Sequence, residues 1–183
     1  MPGKIGATHV DWLLRPLIGE KMDKTEVKLD ETSFAGTLFR PHGEYSSRID
    51  GHFVLTQFRG PFNVEMLDAQ RKLMVPLYAE AGRRGRFVVL VEILDSMLTS
   101  FEGVESIAKT MSLAATGTPQ FAGVAHVAAP DVEGRDMMGT IMLQKVFRPA
   151  GIPYKIFDAH EPARTWLTSL LAETSESIDT MPR

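Results

Sequence analysis

Apolar residues recur along most of this chain with one of two spacings, and the two spacings alternate. In His52–Phe58, Phe53, Leu55 and Gln57 face one way and Val54, Thr56 and Phe58 the other, the two-residue repeat of a strand. Asp50-Gly51 just before it is a hairpin signal that pairs this strand with Glu44–Ile49. Thr37–Phe39 reads as a further short strand. After Gly60-Pro61, Asn63 is placed to cap a helix carrying Val64, Leu67, Met74 and Tyr78, with Pro76 expected to kink or locally disturb it. FVVLVEIL, Phe87–Leu94, has no polar face and predicts a central strand buried on both sides. Ser100 caps a second predicted helix bearing Val104, Ile107, Ala108 and Met111. Phe121–Ala129 predicts a strand, Asp136–Phe147 a methionine-rich helix, and Tyr154–Phe157 a short strand. Pro162 fits the first position of a last helix whose buried stripe is Ala163, Trp166, Leu167, Leu170 and Leu171.

A hairpin followed by helices and strands in turn predicts an α/β fold. Its sheet is mainly parallel, with right-handed crossovers and an antiparallel N-terminal edge hairpin. The spacing assigns this domain to residues 35–173, with residues 174–183 a flexible tail. Residues 1–34 lack a period and are expected to be an arm or extension. They include an apolar patch of Trp12, Leu13, Leu14, Leu17 and Ile18, and the segment as a whole would extend the sheet or clasp a second copy about a two-fold axis.

Composition narrows the function by exclusion. A net charge of −3 supplies no basic face for nucleic acid. With no cysteine there are no disulfides, thiolate metal sites or cysteine nucleophiles. No apolar run is long enough for a spanning helix or a secretory leader, so a cytoplasmic protein without stable membrane insertion is expected. The five histidines, His9, His42, His52, His126 and His160, show no metal-ligand spacing, and no glycine-rich phosphate loop or nucleophile elbow occurs. No cofactor or metal is predicted.

Two stretches hold the candidate chemistry. Glu92 is a carboxylate inside the most apolar strand, a costly position unless it is paired or reaches an edge. Beyond it, Asp95, Ser96, Thr99 and Ser100 crowd the strand-to-helix turn, at the end of the sheet where open α/β folds form ligand crevices. Phosphate on Thr99 or Ser100 would meet the free amides of a helix start; simple helix capping is the other reading. Met137, Met138 and Met142 fit either an adaptable pocket or core packing.

The order of elements, with the segments GHFVLTQFRGPFNVE, FVVLVEILDSMLTSFEG and YKIFDAHEPARTWL, resembles the bacterial SpoIIAA-like proteins, which are grouped with STAS domains and described as STAS/SEC14-related. The likeness runs from about Tyr45 to Leu171. It implies a nonenzymatic regulatory or small-ligand-binding domain. STAS domains of the anti-anti-sigma type bind a partner kinase and are switched by phosphorylation in a loop before a helix. That region here holds Thr99 and Ser100, with Asp95-Ser96 as an alternative register. No Asp directly precedes Thr99, and Phe101 stands where a small residue is usual. The SEC14-like side implies an apolar pocket.

Three functions follow as expectations. The first is a regulatory protein-interaction domain with a protein partner or a second copy of itself. The second is a module for a small apolar molecule or lipid. The third is an acid–base hydrolase pairing Glu92 with Asp95, Asp131 or Asp136.

Overall fold

A computed structural model describes residues 26–28 and 42–173. In chain order they form β1 (Glu26–Lys28), β2 (Glu44–Asp50), β3 (Phe53–Arg59), α1 (Val64–Arg84), β4 (Phe87–Leu94) and α2 (Phe101–Gly117). Then come β5 (Phe121–Val127), α3 (Arg135–Ile141) with a π-helical continuation Met142–Phe147, β6 (Tyr154–Phe157) and α4 (His160–Ala172). The expected strand at Thr37–Phe39, the apolar patch of the arm and the tail beyond residue 173 lie outside the described residues.

The strands form one six-stranded sheet in sequential order. β1, β2 and β3 are antiparallel neighbours, and β3 to β6 are parallel. The α/β class, the mixed sheet and the hairpin agree with the spacing of apolar residues. One feature differs: the hairpin is not the outermost pair, because β1 pairs Val27 with Ser47 and lies outside it. Three residues are too few to show a strand period, so the strand itself was not visible, although it lies in the N-terminal segment expected either to extend the sheet or to clasp a second copy.

Sequential order also explains where the helices sit. Crossovers of one hand that always step in one direction must pass over the same face. Accordingly α1, α2 and α3 share a core with Phe87, Val89, Val91 and Ile93 of β4. α4 follows the last strand, makes no crossover, and covers the opposite face. There Leu167 and Ala163 meet Val88 and Leu90; burying a leucine this fully contributes roughly 2 kcal/mol. Every residue of β4 is therefore buried, as expected of a central strand.

Local devices fit this plan. Asn63 caps α1 by accepting from Met66 N at 3.2 Å, and also accepts from His42 N at 2.9 Å. α1 continues through Pro76, which lies on its exposed side, where water can serve the carbonyl left without a donor. β5 carries one extra residue between the Phe87–Phe121 and Val89–Val124 pairs. Gly123 lies in that bulge, where a Cβ would come within 2.5 Å of Leu170 Cδ1 of α4. α4 begins at His160, so Pro162 is its third residue and not its first. The first four helical amides lack intrahelical acceptors, so proline forfeits nothing there.

Candidate functional site

A cavity of about 90 Å³ lies between the helical face of the sheet and the crossover helices. Its floor is formed by Thr56, Val91, Ile93, Val124 and His126 of three adjacent strands. Gln70, Met74 and Tyr78 of α1 and Ile107, Thr110 and Met111 of α2 close its sides. Met142 and Phe147, at the two ends of the π-helical turn, complete the wall. That turn is widened: Arg148 N reaches back five residues to Leu143 O. Such widened turns often accompany functional sites. Among the described residues no Asp, Glu, Lys or Arg lines the cavity.

Most polar groups in the wall are engaged elsewhere. Thr56 shares a hydrogen bond with Ser47, and Thr110 donates to Ser106 O at 2.8 Å. Gln70 Nε2 approaches Met74 Sδ at 3.1 Å. Thr99 is different. Its Oγ1 is buried and makes no hydrogen bond among the described residues. Space for that hydroxyl exists because residue 103 is glycine; a Cβ there would lie 2.1 Å from it. His126 Nδ1 is 3.0 Å from Tyr154 Oη, and its ring stands edge-on to Tyr154 and Phe147. Burial lowers the His126 pKa to about 3, so the ring is neutral at physiological pH.

A second polar group lies on the other face of the sheet. Glu92 is only 4% exposed and accepts from Gln57 Nε2 at 2.7 Å, while His160 Nε2 lies 2.9 Å from its other oxygen. Gln57 is the register partner of Glu92 across the parallel β3–β4 pair, and His160 opens α4. These bonds offset the cost of burying the carboxylate and tie the start of α4 to the sheet.

The loop between β4 and α2 joins the two regions. Asp95 adopts a left-handed backbone (φ 62°), and its side chain pairs with Arg59. Ser96 is buried, and its hydroxyl accepts from Leu98 N. Ser100 is exposed and caps α2 by accepting from Gly103 N at 3.2 Å. Ser100→Ala is expected to cost about 1 kcal/mol of stability in urea unfolding, with Ser100→Asp retaining most of it. A change of only a few tenths for Ser100→Ala would show that the cap contributes little.

The other sequence candidates separate. Met142 lines the cavity, Met138 is buried outside its wall, and Met137 is 56% exposed. The carboxylates weighed for an acid–base pair take different partners: Glu92 has Gln57 and His160, Asp95 has Arg59, and Asp136 has Arg135. Asp131 is exposed. Among the described residues no group of three acidic or histidine side chains could hold a metal ion. No described helix is long and apolar enough to cross a membrane. The composition of the cavity wall was not legible, because its residues come from six separate segments. Gln57 was equally hidden until the strand register placed it beside Glu92.

Comparison with protein-family models, with curated proteins and with solved structures finds no match for this chain.

Proposed function

We propose that this chain is a nonenzymatic regulatory domain of the SpoIIAA-like, STAS-related type that works by taking a small, largely apolar molecule into the cavity beneath its crossover helices. The element order supports the fold assignment: a leading hairpin, parallel strands laid down in sequence, and a closing helix on the opposite face. The cavity itself carries the ligand reading: about 90 Å³ of open space walled mainly by apolar side chains, with no ionic side chain among the described residues.

Native mass spectra of the protein taken gently from its host test this reading. A noncovalent adduct is expected that disappears under denaturing conditions. Ile107→Phe, which pushes a ring into the cavity from α2, should abolish it while leaving the circular dichroism unchanged. A bare chain in the native spectrum, combined with no rise in unfolding midpoint across a set of small neutral compounds, would sink the proposal, because a ligand of the folded state must stabilise it.

A second reading rests on the surface at the start of α2. Ser100 is exposed there, and Phe101 beside it is 70% exposed. A protein partner docking on Phe101 would be sensitive to phosphate on Ser100, which adds about −1.5 to −2 charges beside Glu102. A phosphate-sized mass increment mapped to Ser100 favours this reading. Unmodified Ser100 in protein from its host under all growth conditions tried counts against it.

A further inference from the structure

We infer that the molecule held in the cavity is uncharged, has only a few heavy atoms, and carries an oxygen that accepts a hydrogen bond from Nε2–H of His126. This inference rests on the ligand-binding reading above and specifies its chemistry.

Geometry places the nitrogen. His126 stands on β5, between β4 and β6, and its ring forms part of the cavity floor. Its Nδ1 lies 3.0 Å from Oη of Tyr154 on β6. The two nitrogens of an imidazole point to opposite sides of the ring. Nε2 is therefore turned away from β6 and toward β4 and β3, where Val91 and Thr56 are the next residues across the sheet and continue the floor. Nε2 makes no hydrogen bond among the described residues, yet it is not sealed off from water as Thr99 Oγ1 is. The 9% of His126 that stays accessible opens to the cavity it lines.

Counting protons shows what that nitrogen offers. Burial lowers the His126 pKa to about 3, so the ring is neutral and carries a single N–H. Burial also raises the Tyr154 hydroxyl above its usual pKa, so the phenol keeps its proton. Among the described residues that hydroxyl bonds only to His126 Nδ1. If Tyr154 donates to Nδ1, one polar group is left over, the Nε2–H. If Nδ1 donates instead, two are left over, the phenol hydrogen and the Nε2 lone pair. The first arrangement costs less, so the cavity presents a donor, and a carbonyl, ether or hydroxyl oxygen on the ligand satisfies it.

Charge and size narrow the rest. Among the described residues no ionic side chain lines the wall, so a carboxylate or ammonium would enter without a counter-charge. A cavity of roughly 150 Å³ accepts benzene, and at the same packing one of about 90 Å³ holds roughly four heavy atoms, which excludes a lipid tail.

The full-length chain with isotope-labelled histidine nitrogens, titrated by NMR with acetone, isobutene and acetate, tests each part. The three probes share one branched shape; isobutene lacks the oxygen and acetate adds a charge. Before any addition, the His126 proton is expected on Nε2. Acetone should then bind and move the Nε2 resonance, isobutene should bind without a hydrogen-bond shift there, and acetate should bind at least about tenfold more weakly than acetone. His126→Phe keeps a ring against Phe147 and Tyr154 but has no donor; it should weaken acetone about tenfold relative to isobutene. Tyr154→Phe keeps the histidine and removes the hydroxyl that fixes its tautomer. The share of Nδ1–H should rise and acetone should weaken while isobutene does not, a pattern that a mere folding defect would not give. A proton found on Nδ1 in the unaltered protein, or acetone bound without moving Nε2, overturns the anchor, and acetate binding as well as acetone overturns neutrality. A host-derived adduct with no binding of any probe overturns the size assignment and leaves the ligand-binding reading standing. Absence of both adduct and probe binding overturns the two together.

Discussion

Gly60→Ala is expected to destabilise the fold by about 3 kcal/mol, at the upper end of what overpacking costs. A Cβ at residue 60 would lie 2.0 Å from the carbonyl oxygen of Ser96 and 2.9 Å from its carbon. Both are main-chain atoms, so no side-chain rotation relieves the overlap and the β4–α2 connection must move as a body. That connection is held on two sides. Gly60 N donates to Leu94 O and Phe62 N to Leu98 O, and Phe62 bridges Thr99. On the far side Met97 N donates to Glu133 O and Glu133 N to Asp95 O. Moving Ser96 therefore strains bonds to both neighbours and shifts Thr99 at the cavity wall. Gly117→Ala is the matched control: nothing lies within 4 Å of its added Cβ, and alanine at the end of α2 should be neutral or stabilising by about 0.5 kcal/mol. Urea unfolding of the two variants checks the contrast. A loss below about 1 kcal/mol for Gly60→Ala would mean that the loop is far more compliant than its bonds imply.

Where one residue type or one spacing determined local structure, the sequence was legible. The apolar run of β4, interrupted only by Glu92, read as a doubly buried strand, and Asn63 and Ser100 announced their helices because a short polar side chain satisfies a free amide. What escaped depends on contacts distant in sequence. The π-helical turn is one case, since nothing in MLQKVF distinguishes a six-residue wide turn from ordinary helix. The methionines are another. Met138 and Met142 are four apart and can share a helix face, but Met137 is about 100° away from Met138 and turns outward. A cluster of one residue type along a helix therefore could not be read as one lining.

The candidate sites show the same division. Glu92 was conspicuous as a lone charge in an apolar strand, yet its two partners are set by strand register and by the docking of α4. Thr99 and Ser100 were visible as a pair of hydroxyls before a helix. Their different fates follow from three-dimensional packing: Gly103 and the Phe62 bridge draw Thr99 inward, while Ser100 remains at the surface as the cap. One loop thus presents an unsatisfied hydroxyl to the interior and an exposed one to solvent on consecutive residues.

Acid should destabilise this protein through His126, by about 3 kcal/mol between pH 7.5 and pH 4.5. Burial holds its folded-state pKa at about 3, whereas an unfolded chain has an ordinary histidine near 6.5. Between those values the unfolded state binds a proton that the folded state refuses. The contribution is fully present above about pH 6.5, falls by up to about 1.4 kcal/mol per pH unit below it, and levels off near pH 3. Other groups titrate over the same range, so the wild-type curve alone does not isolate the histidine. His126→Gln keeps a polar side chain opposite Tyr154 but cannot titrate, and its stability should fall less steeply with acid. The difference between the two slopes, measured by urea unfolding from pH 7.5 to 4.5, is the His126 term. Parallel slopes would mean that the ring accepts a proton in the folded protein, which requires water to reach it from the cavity side. The uncharged wall on which the ligand assignment depends would then be lost, so the same titration tests the stability of the fold and the chemistry of its cavity.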